Sequence, residues 1–332
     1  MSEAADTKEL RSTLRGFFEQ HAPVRSQLAD DPAVWKRLTA ELGLTGLAVP
    51  EQHGGSGASF TELAVAVEEA GRVLLRAPLL STAVAALVLT EAGQGDLVPR
   101  LVDGSTAAAF VVGDVEAAGP AADLLSGTVP QVVDGASAGL LLVTVGDSLY
   151  AVDAATAVVR PVEALDPTRP LARVELDGTH ARRIGPSGHA MDLLHVALAA
   201  ESVGAARRLL EVTVEHLKLR EQFGRPLGSF QALRHRVADL TVDLEAATST
   251  VWYATRAAAT SSPDLPVVAP LAKAAATDAF THIAGECIQL HGGIGFTWEH
   301  DAHLFFKRAW TTALLHGDAR TLRRTAFARS GC

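Results

Sequence analysis

The sequence predicts a mainly α-helical protein with a small β domain in its middle, and three observations predict it. Long stretches at both ends place apolar residues at the three- and four-residue spacing of amphipathic helices. Between about residues 106 and 185 that spacing gives way to short β-rich runs separated by Gly, Asp and Pro. The third observation is composition: 332 residues, 48% hydrophobic and only 5% aromatic, with much of the apolar share in Ala, Val and Leu. Such a chain is globular and helix-rich rather than disordered or collagen-like.

Three domains are expected: residues 1–105, 106–185 and 186–332. In the first, Leu10, Leu14, Phe17 and Phe18 recur at helical spacing, and Asp31-Pro32 is a helix-start signal before Val34, Trp35, Leu38 and Leu42. A loop follows at Val49-Pro50-Glu51-Gln52-His53-Gly54-Gly55-Ser56-Gly57, after which Ser59 and Glu62 bracket the start of FTELAVAVEEAGR as a capping box. The segments LLSTAVAALVLTEAG and DLVPRLVDG end in Gly, as helices often do. The middle domain reads as AAAFVVGDV, GTVPQVV, GLLLVTVGD, SLYAVD, AVVRPVEAL and ARVELDG, the pattern of a small antiparallel barrel or sandwich.

After Pro186-Ser187-Gly188 four long amphipathic stretches follow. They begin at MDLLHVALAAESVG, SFQALRHRVADL, PLAKAAATDAF and HDAHLFFKRAW, and the last is expected to run to the C-terminus as one helix. Short connections, among them Ser261-Ser262-Pro263-Asp264-Leu265-Pro266, make an up-and-down four-helix bundle the simplest packing.

Charge and cysteine usage narrow the function classes. With 29 Lys+Arg against 38 Asp+Glu the net charge is −9, which does not favour a nucleic-acid backbone as partner. Cys287 and Cys332 form no spaced framework, so a reducing compartment is expected. The start, MSEAADTKELRSTLRGFFEQ, lacks the apolar core of a signal peptide, and no apolar run reaches about 18 residues. A cytoplasmic protein without a membrane span is the expectation. The glycines at 54, 55 and 57 do not make a phosphate loop, because no Gly-Lys-Ser/Thr ending follows and no strand precedes. His300, Asp301 and His303 lie close in sequence, but without a fourth ligand nearby they read as a capped helix start rather than a metal site.

Three segments carry a resemblance to a known family. The first is Pro50-Glu51-Gln52-His53-Gly54-Gly55-Ser56-Gly57 with Glu68-Glu69-Ala70-Gly71. The second is Arg220-Glu221-Gln222-Phe223-Gly224-Arg225-Pro226-Leu227-Gly228-Ser229-Phe230-Gln231, leading to Ala238-Asp239. The third is Gln289-Leu290-His291-Gly292-Gly293-Ile294-Gly295-Phe296-Thr297. In order and on these elements, they make the chain resemble the FAD-dependent acyl-CoA dehydrogenases over essentially its whole length.

The residues themselves are compatible with that role. Arg220 and Gln222 present a guanidinium and an amide where a long helix gives way to a turn, and a guanidinium can bond a pyrophosphate in bidentate fashion. Read alone, the same Arg is a solvated helix end. Gln289 before Gly292, Gly293 and Gly295 lets backbone amides approach an anion, although a Gly-rich stretch of this kind also marks an ordinary turn. The resemblance implies that Arg220, Gln222, Phe223 and Gln231 contact one FAD. It implies that Gln289, Gly292 and Gly293 contact another across a subunit interface. It also implies an acyl-CoA substrate, an oligomer, and an electron-transfer flavoprotein or similar acceptor.

At the chemistry the sequence departs from the family. Enzymes of this kind remove the α-proton of an acyl-CoA with a Glu while the β-hydrogen leaves as hydride to the flavin. At the usual position, a Glu-Gly-Thr loop near the C-terminus, this chain reads Leu315-His316-Gly317-Asp318. At the alternative position, a Glu-Arg pair on the first bundle helix, it reads Leu194-His195. Three readings follow. His316 is the base with Asp318 orienting it, since imidazole has a suitable pKa; or Asp318 is a displaced carboxylate base; or the chain is the base-less half of an α2β2 heteromer acting on bulky substrates such as sterol side-chain CoA esters. The third gains from the middle domain, which looks shortened between Phe110 and Asp134 and lacks the family's Thr-Glu-Pro/Gly-Ser-Asp segment and its Trp-containing strand. A flavin oxidase or monooxygenase of the same fold, and a flavin-free scaffold subunit, are alternatives of another class.

Overall fold

The computed structural model describes residues 5–119 and 123–331; Cys332, and residues 120–122 of the stretch the sequence reads as shortened, lie outside the described residues. In chain order the helices are α1 (Ala5–His21), α2 (Pro32–Lys36), α3 (Phe60–Arg72), α4 (Leu79–Glu91), α5 (Pro99–Val102), α6 (Gly188–Leu219), α7 (Gln231–Ala259), α8 (Leu265–His291), α9 (Ala302–Leu314) and α10 (Ala319–Arg329). The strands are β1 (Ala107–Val111), β2 (Val115–Ala118), β3 (Leu124–Val133), β4 (Ala138–Val145), β5 (Ser148–Asp153), β6 (Val158–Val162), β7 (Leu171–His180), β8 (Arg182–Pro186), β9 (Glu221–Gln222) and β10 (Arg225–Pro226). Two compact units result. One comprises the described residues up to Gln27, Ala64–Leu75 and those from His195 on; the other comprises Leu28–Leu63 and Arg76–Leu194.

In the second unit local chemistry sets the helix starts. Asp31 caps α2 by accepting from the Ala33 N–H at 2.9 Å. At α3 the expected capping box forms: the Glu62 carboxylate accepts from the Ser59 N–H at 2.9 Å, while Ser59 Oγ accepts from the Thr61 N–H at 3.0 Å. The glycine loop before it is structural. The amides of Ser56, Gly57 and Ala58 donate to the carbonyls of Gly46, Val49 and Leu47, which leaves them no donor for an anion. Helix α4 is apolar nearly all round and is buried accordingly from Ser81 to Leu89.

The β region holds two four-stranded sheets, ordered β1-β4-β5-β8 and β2-β3-β7-β6. Their inward residues share one core, with Val111, Leu141, Val143 and Val152 from one sheet and Leu125, Val129, Val174 and Leu176 from the other. The arrangement is a sandwich, with one departure from the antiparallel expectation: β1 pairs with β4 in parallel. Strands β2 (VEAA) and β8 (RRIGP) carry too few β-branched or aromatic residues to read as strands from sequence.

In the first unit, α7 and α8 run antiparallel, bridged by Arg236–Glu286 at 3.3 Å and His282–Asp243 at 2.9 Å. Pro270 lies inside α8 and has no N–H for the Pro266 carbonyl, and Arg329 of α10 donates to that carbonyl instead at 3.1 Å. Leu14 and Phe18 of α1 are buried, and Arg11 and Arg15 reach Glu69 of α3 at 3.0 and 2.9 Å. The last stretch, expected as one helix, is two. His316 (φ +54°) and Gly317 (φ +102°) turn the chain left-handed, and Asp318 starts α10 by accepting from the Thr321 N–H at 2.8 Å. The helical spacing carries through this break, which is why periodicity alone did not mark it.

Candidate functional site

The α9–α10 loop is built by its neighbours. The His316 carbonyl accepts a hydrogen bond from His195 Nε2 of α6 at 3.2 Å, and the Gly317 carbonyl accepts one from Lys273 Nζ of α8 at 2.8 Å. Two successive carbonyls are thus held from two bundle helices, at a turn where a non-glycine residue is strained. The stretches read from sequence as the usual and the alternative base position therefore meet, through His195 and His316, within one hydrogen bond. No carboxylate stands at either: Leu194 is 2% exposed and apolar, and His316 is an imidazole. Asp318, exposed, serves as the α10 cap, and the hydrogen bonds from Thr321 hold its carboxyl below the usual carboxylate range.

His195 has a defined proton arrangement. Because Nε2 faces a carbonyl, it carries the proton, and Nδ1 is the bare nitrogen. Nδ1 is buried with no hydrogen-bond partner among the described residues. Burial, reinforced by the nearby Lys273 charge, pushes this imidazole down to about 4, so it is neutral at physiological pH. Neither His195 nor Lys273 was assigned a role from sequence. A lone Lys in the apolar run PLAKAAATDAF, now fully buried, was the signal available.

The seven expected flavin residues lie at one end of the bundle and all are exposed. The α6 helix closes with the Arg220 N–H donating to the His216 carbonyl at 2.8 Å, and the Arg220 carbonyl accepts from the Leu227 N–H at 2.8 Å, so Arg220 sits at the root of the β9–β10 hairpin. Phe223 at its tip is left-handed and 91% exposed. The Arg225 guanidinium lies 4.0 Å over the Phe230 ring and braces the hairpin. Gln222 is on β9 and Gln231 opens α7. Gln289, Gly292 and Gly293 end α8, and the α6 and α8 ends are adjacent, as the His216 and His291 rings stand 4.6 Å apart. Gly292 adopts φ 63°, ψ −145°, a shape open essentially to glycine. A Cβ at Gly292 or Gly293 would meet nothing within 4 Å, so the backbone there is open to close approach, while the Gly292 N–H itself donates to the Gln289 carbonyl.

This set fits an adenosine-pyrophosphate group: one guanidinium, three side-chain amides, an unobstructed backbone approach at two glycines and an aromatic face. Cys287, by contrast, is buried, and burial pushes its thiol up to about 12, so it is no nucleophile or ligand. His300, Asp301 and His303 act locally, with His300 Nδ1 accepting from the Ala302 N–H at 3.1 Å and Asp301 paired with Arg25 at 2.9 Å. Among the described residues no helix is long and apolar enough to cross a membrane.

Comparison with known proteins identifies the family. The family model for the acyl-CoA dehydrogenase N-terminal domain matches residues 4–105, and that for the C-terminal domain matches residues 189–330. Acyl-CoA dehydrogenase IpdE2 of Mycobacterium tuberculosis is 38% identical over 334 residues, which cover 98% of this chain and 97% of the relative. A solved Tcur3481-Tcur3483 steroid ACAD is 31% identical with a TM-score of 0.88, covering 98% of each chain. The ChsE4-ChsE5 complex from Mycobacterium tuberculosis shares the fold, with a TM-score of 0.90 at 24% identity over 99% of this chain and 98% of that one. The chain belongs to the acyl-CoA dehydrogenase family, oxidoreductases that act on acyl-CoA.

Proposed function

We propose that this chain is the base-less subunit of a heteromeric acyl-CoA dehydrogenase, paired as α2β2 with a paralogous subunit that carries the catalytic Glu. The observation that carries this reading is the α9–α10 loop: the stretches of both base positions meet at His195 and His316, and no carboxylate is held there. Asp318 as a displaced base fits less well, because its carboxylate is engaged at Thr321 and is depressed rather than raised.

FAD, when bound, supplies the acceptor for the β-hydrogen. The chain's own residues bind and orient. Arg220 would pair with the pyrophosphate, Gln222 and Gln231 would donate amide hydrogen bonds, and Phe223 would offer an apolar face. Gln289, Gly292 and Gly293 would reach a second flavin across the subunit interface, which accords with the open space around the two glycines. Leu219, Phe223, Phe296 and Trp298, exposed on this unit, are the kind of apolar surface a partner covers. Among the solved relatives, ChsE4-ChsE5 is a complex and the Tcur3481-Tcur3483 protein is a steroid ACAD. The first supports a paired subunit and the second a bulky, sterol-type acyl-CoA as substrate; in this reading electrons pass to an electron-transfer flavoprotein. Such an assembly works in the cytoplasm, with the three-domain division of residues 1–105, 106–185 and 186–332.

The test is expression of the chain alone and together with its paralogous partner, followed by native mass spectrometry, flavin absorbance and acyl-CoA oxidation. A 2:2 complex is expected to bind FAD and turn over, with His316→Ala and Asp318→Ala leaving turnover intact and removal of the partner's Glu abolishing it. Stoichiometric FAD and acyl-CoA oxidation by the isolated chain would overturn the proposal.

A further inference from the structure

Three imidazoles from three separate elements stack at the bundle end that carries the flavin-contact residues. His216 is in the last turn of α6, His291 ends α8, and His300 lies two residues before α9. Their ring centroids are 4.6 Å apart for His216–His291, 4.1 Å for His291–His300 and 6.4 Å for His216–His300. The His291–His300 pair closes the base of a loop that begins with Gly292 and Gly293 and exposes Phe296 and Trp298. His216 fastens that base to the bundle.

We propose that this three-histidine stack positions the Gln289–Gly293 segment for its flavin contact, and that it does so only while the rings are neutral. The flavin contact is the one proposed above; the latch itself rests on the ring geometry. Two of the three rings have hydrogen bonds that fix where a further proton would go. His291 Nδ1–H donates to the Cys287 carbonyl at 2.8 Å, so Nε2 is the bare nitrogen, and it is buried with no hydrogen-bond partner among the described residues. His300 Nδ1 accepts from the Ala302 N–H at 3.1 Å, so its proton is on Nε2. Protonating His291 creates a buried N–H without an acceptor. Protonating His300 breaks the bond that opens α9. Either places an imidazolium within a ring's width of a second titratable ring.

The surroundings add positive charge. Arg220 of the α6 end faces His216, Arg25 faces His300 and His303, and Lys307 of α9 faces His303. Arg208 of α6 and Glu299 line the same small cavity as His300, and Asp301, already paired with Arg25, is the acid that acts on His300. Burial first, and the neighbouring rings after it, push His291 down to about 4, while burial and neighbouring positive charge hold His216 and His300 below the usual histidine range. An opened loop returns these rings to water, where they take up protons more readily. The latch is therefore intact above the ordinary histidine range and is lost as pH falls toward 4. A return of His291 alone from about 4 to 6.5 raises the opening equilibrium about 20-fold between roughly pH 7 and pH 5.

The test is amide hydrogen exchange of residues 292–301 in the assembled protein, corrected for intrinsic exchange rates, with bound flavin measured on the same samples. The wild type is expected to open about 20-fold more readily at the lower pH, with flavin release rising in parallel. His291→Phe and, as a second variant, His216→Phe keep a packed ring that cannot titrate, and each is expected to show a clearly smaller pH response. An exchange rate that does not change with pH in the wild type, or that changes in both variants as much as in the wild type, overturns the latch. Acid-driven opening without flavin release overturns the positioning role and traces the fault to the flavin reading of Gln289–Gly293.

Discussion

His195→Gln isolates one buried proton equilibrium at the centre of the candidate site. The wild-type imidazole is 6% exposed, sits near Lys273 and is held at about 4 against an ordinary 6.5. It is neutral when folded, and an unfolded chain takes up its proton first as pH falls. The sign follows: stability is fully present above about pH 6.5 and declines as pH drops toward 4. Between roughly pH 7 and pH 5 this one group removes about 2 kcal/mol of stability, and about 3 kcal/mol once both forms are protonated. A Gln amide nitrogen reaches about as far as imidazole Nε2, donates to the same His316 carbonyl and does not titrate. Denaturant unfolding of both proteins at the two pH values is the assay. Because the other histidines titrate in both, the difference between the two pH dependences reports His195 alone. The wild type should lose about 2 kcal/mol more than the variant on acidification. Equal losses, or a His195 ring that titrates near its ordinary value in the folded protein, would refute the reasoning.

Further outcomes follow from other parts of the structure. Arg220→Ala and Gln289→Ala, both at exposed positions, should each lower flavin content of the assembly by about tenfold or more without changing the unfolding midpoint of the protomer, checked by absorbance and thermal melting. Arg308→Met should destabilise the fold by about 3–5 kcal/mol, because Glu201 loses a buried ion-pair partner, and combining it with Glu201→Met should recover much of that loss in denaturant unfolding. In a Cys332→Ser background, Cys287 should stay unreactive toward a thiol reagent at mildly alkaline pH until denaturant is added, since burial pushes its thiol up to about 12.

How much of this was legible in the sequence depended on the range of the interaction. Capping at Asp31 and Ser59 was legible because both partners lie within three residues. Long helices were legible because burial of one face imposes a period, as Leu14 and Phe18 show. The break at His316 was not, since a left-handed turn leaves the apolar spacing on either side in phase. The parallel β1–β4 pair was not, since strand patterning carries no direction. In the candidate site, the seven exposed residues could be named as candidates because they lie in segments contiguous in sequence. His195 and Lys273 were not assigned roles, because their partners are carbonyls 121 and 44 residues away and a carbonyl has no residue identity. The three stacked histidines share no spacing at all.

By itself, then, the sequence determined the helices, the β-rich middle, the family resemblance and the absence of Glu from two aligned positions. All of these are properties of residue type and local order. Tertiary structure alone decided that those two stretches meet within one hydrogen bond, that Asp318 is a helix cap, and that His195 is buried with no hydrogen-bond partner for its Nδ1 among the described residues. The physical reason is that a side chain's role here depends on burial and on distant backbone atoms. Desolvation and a neighbouring ammonium turn an ordinary histidine into one that stays neutral at every physiological pH.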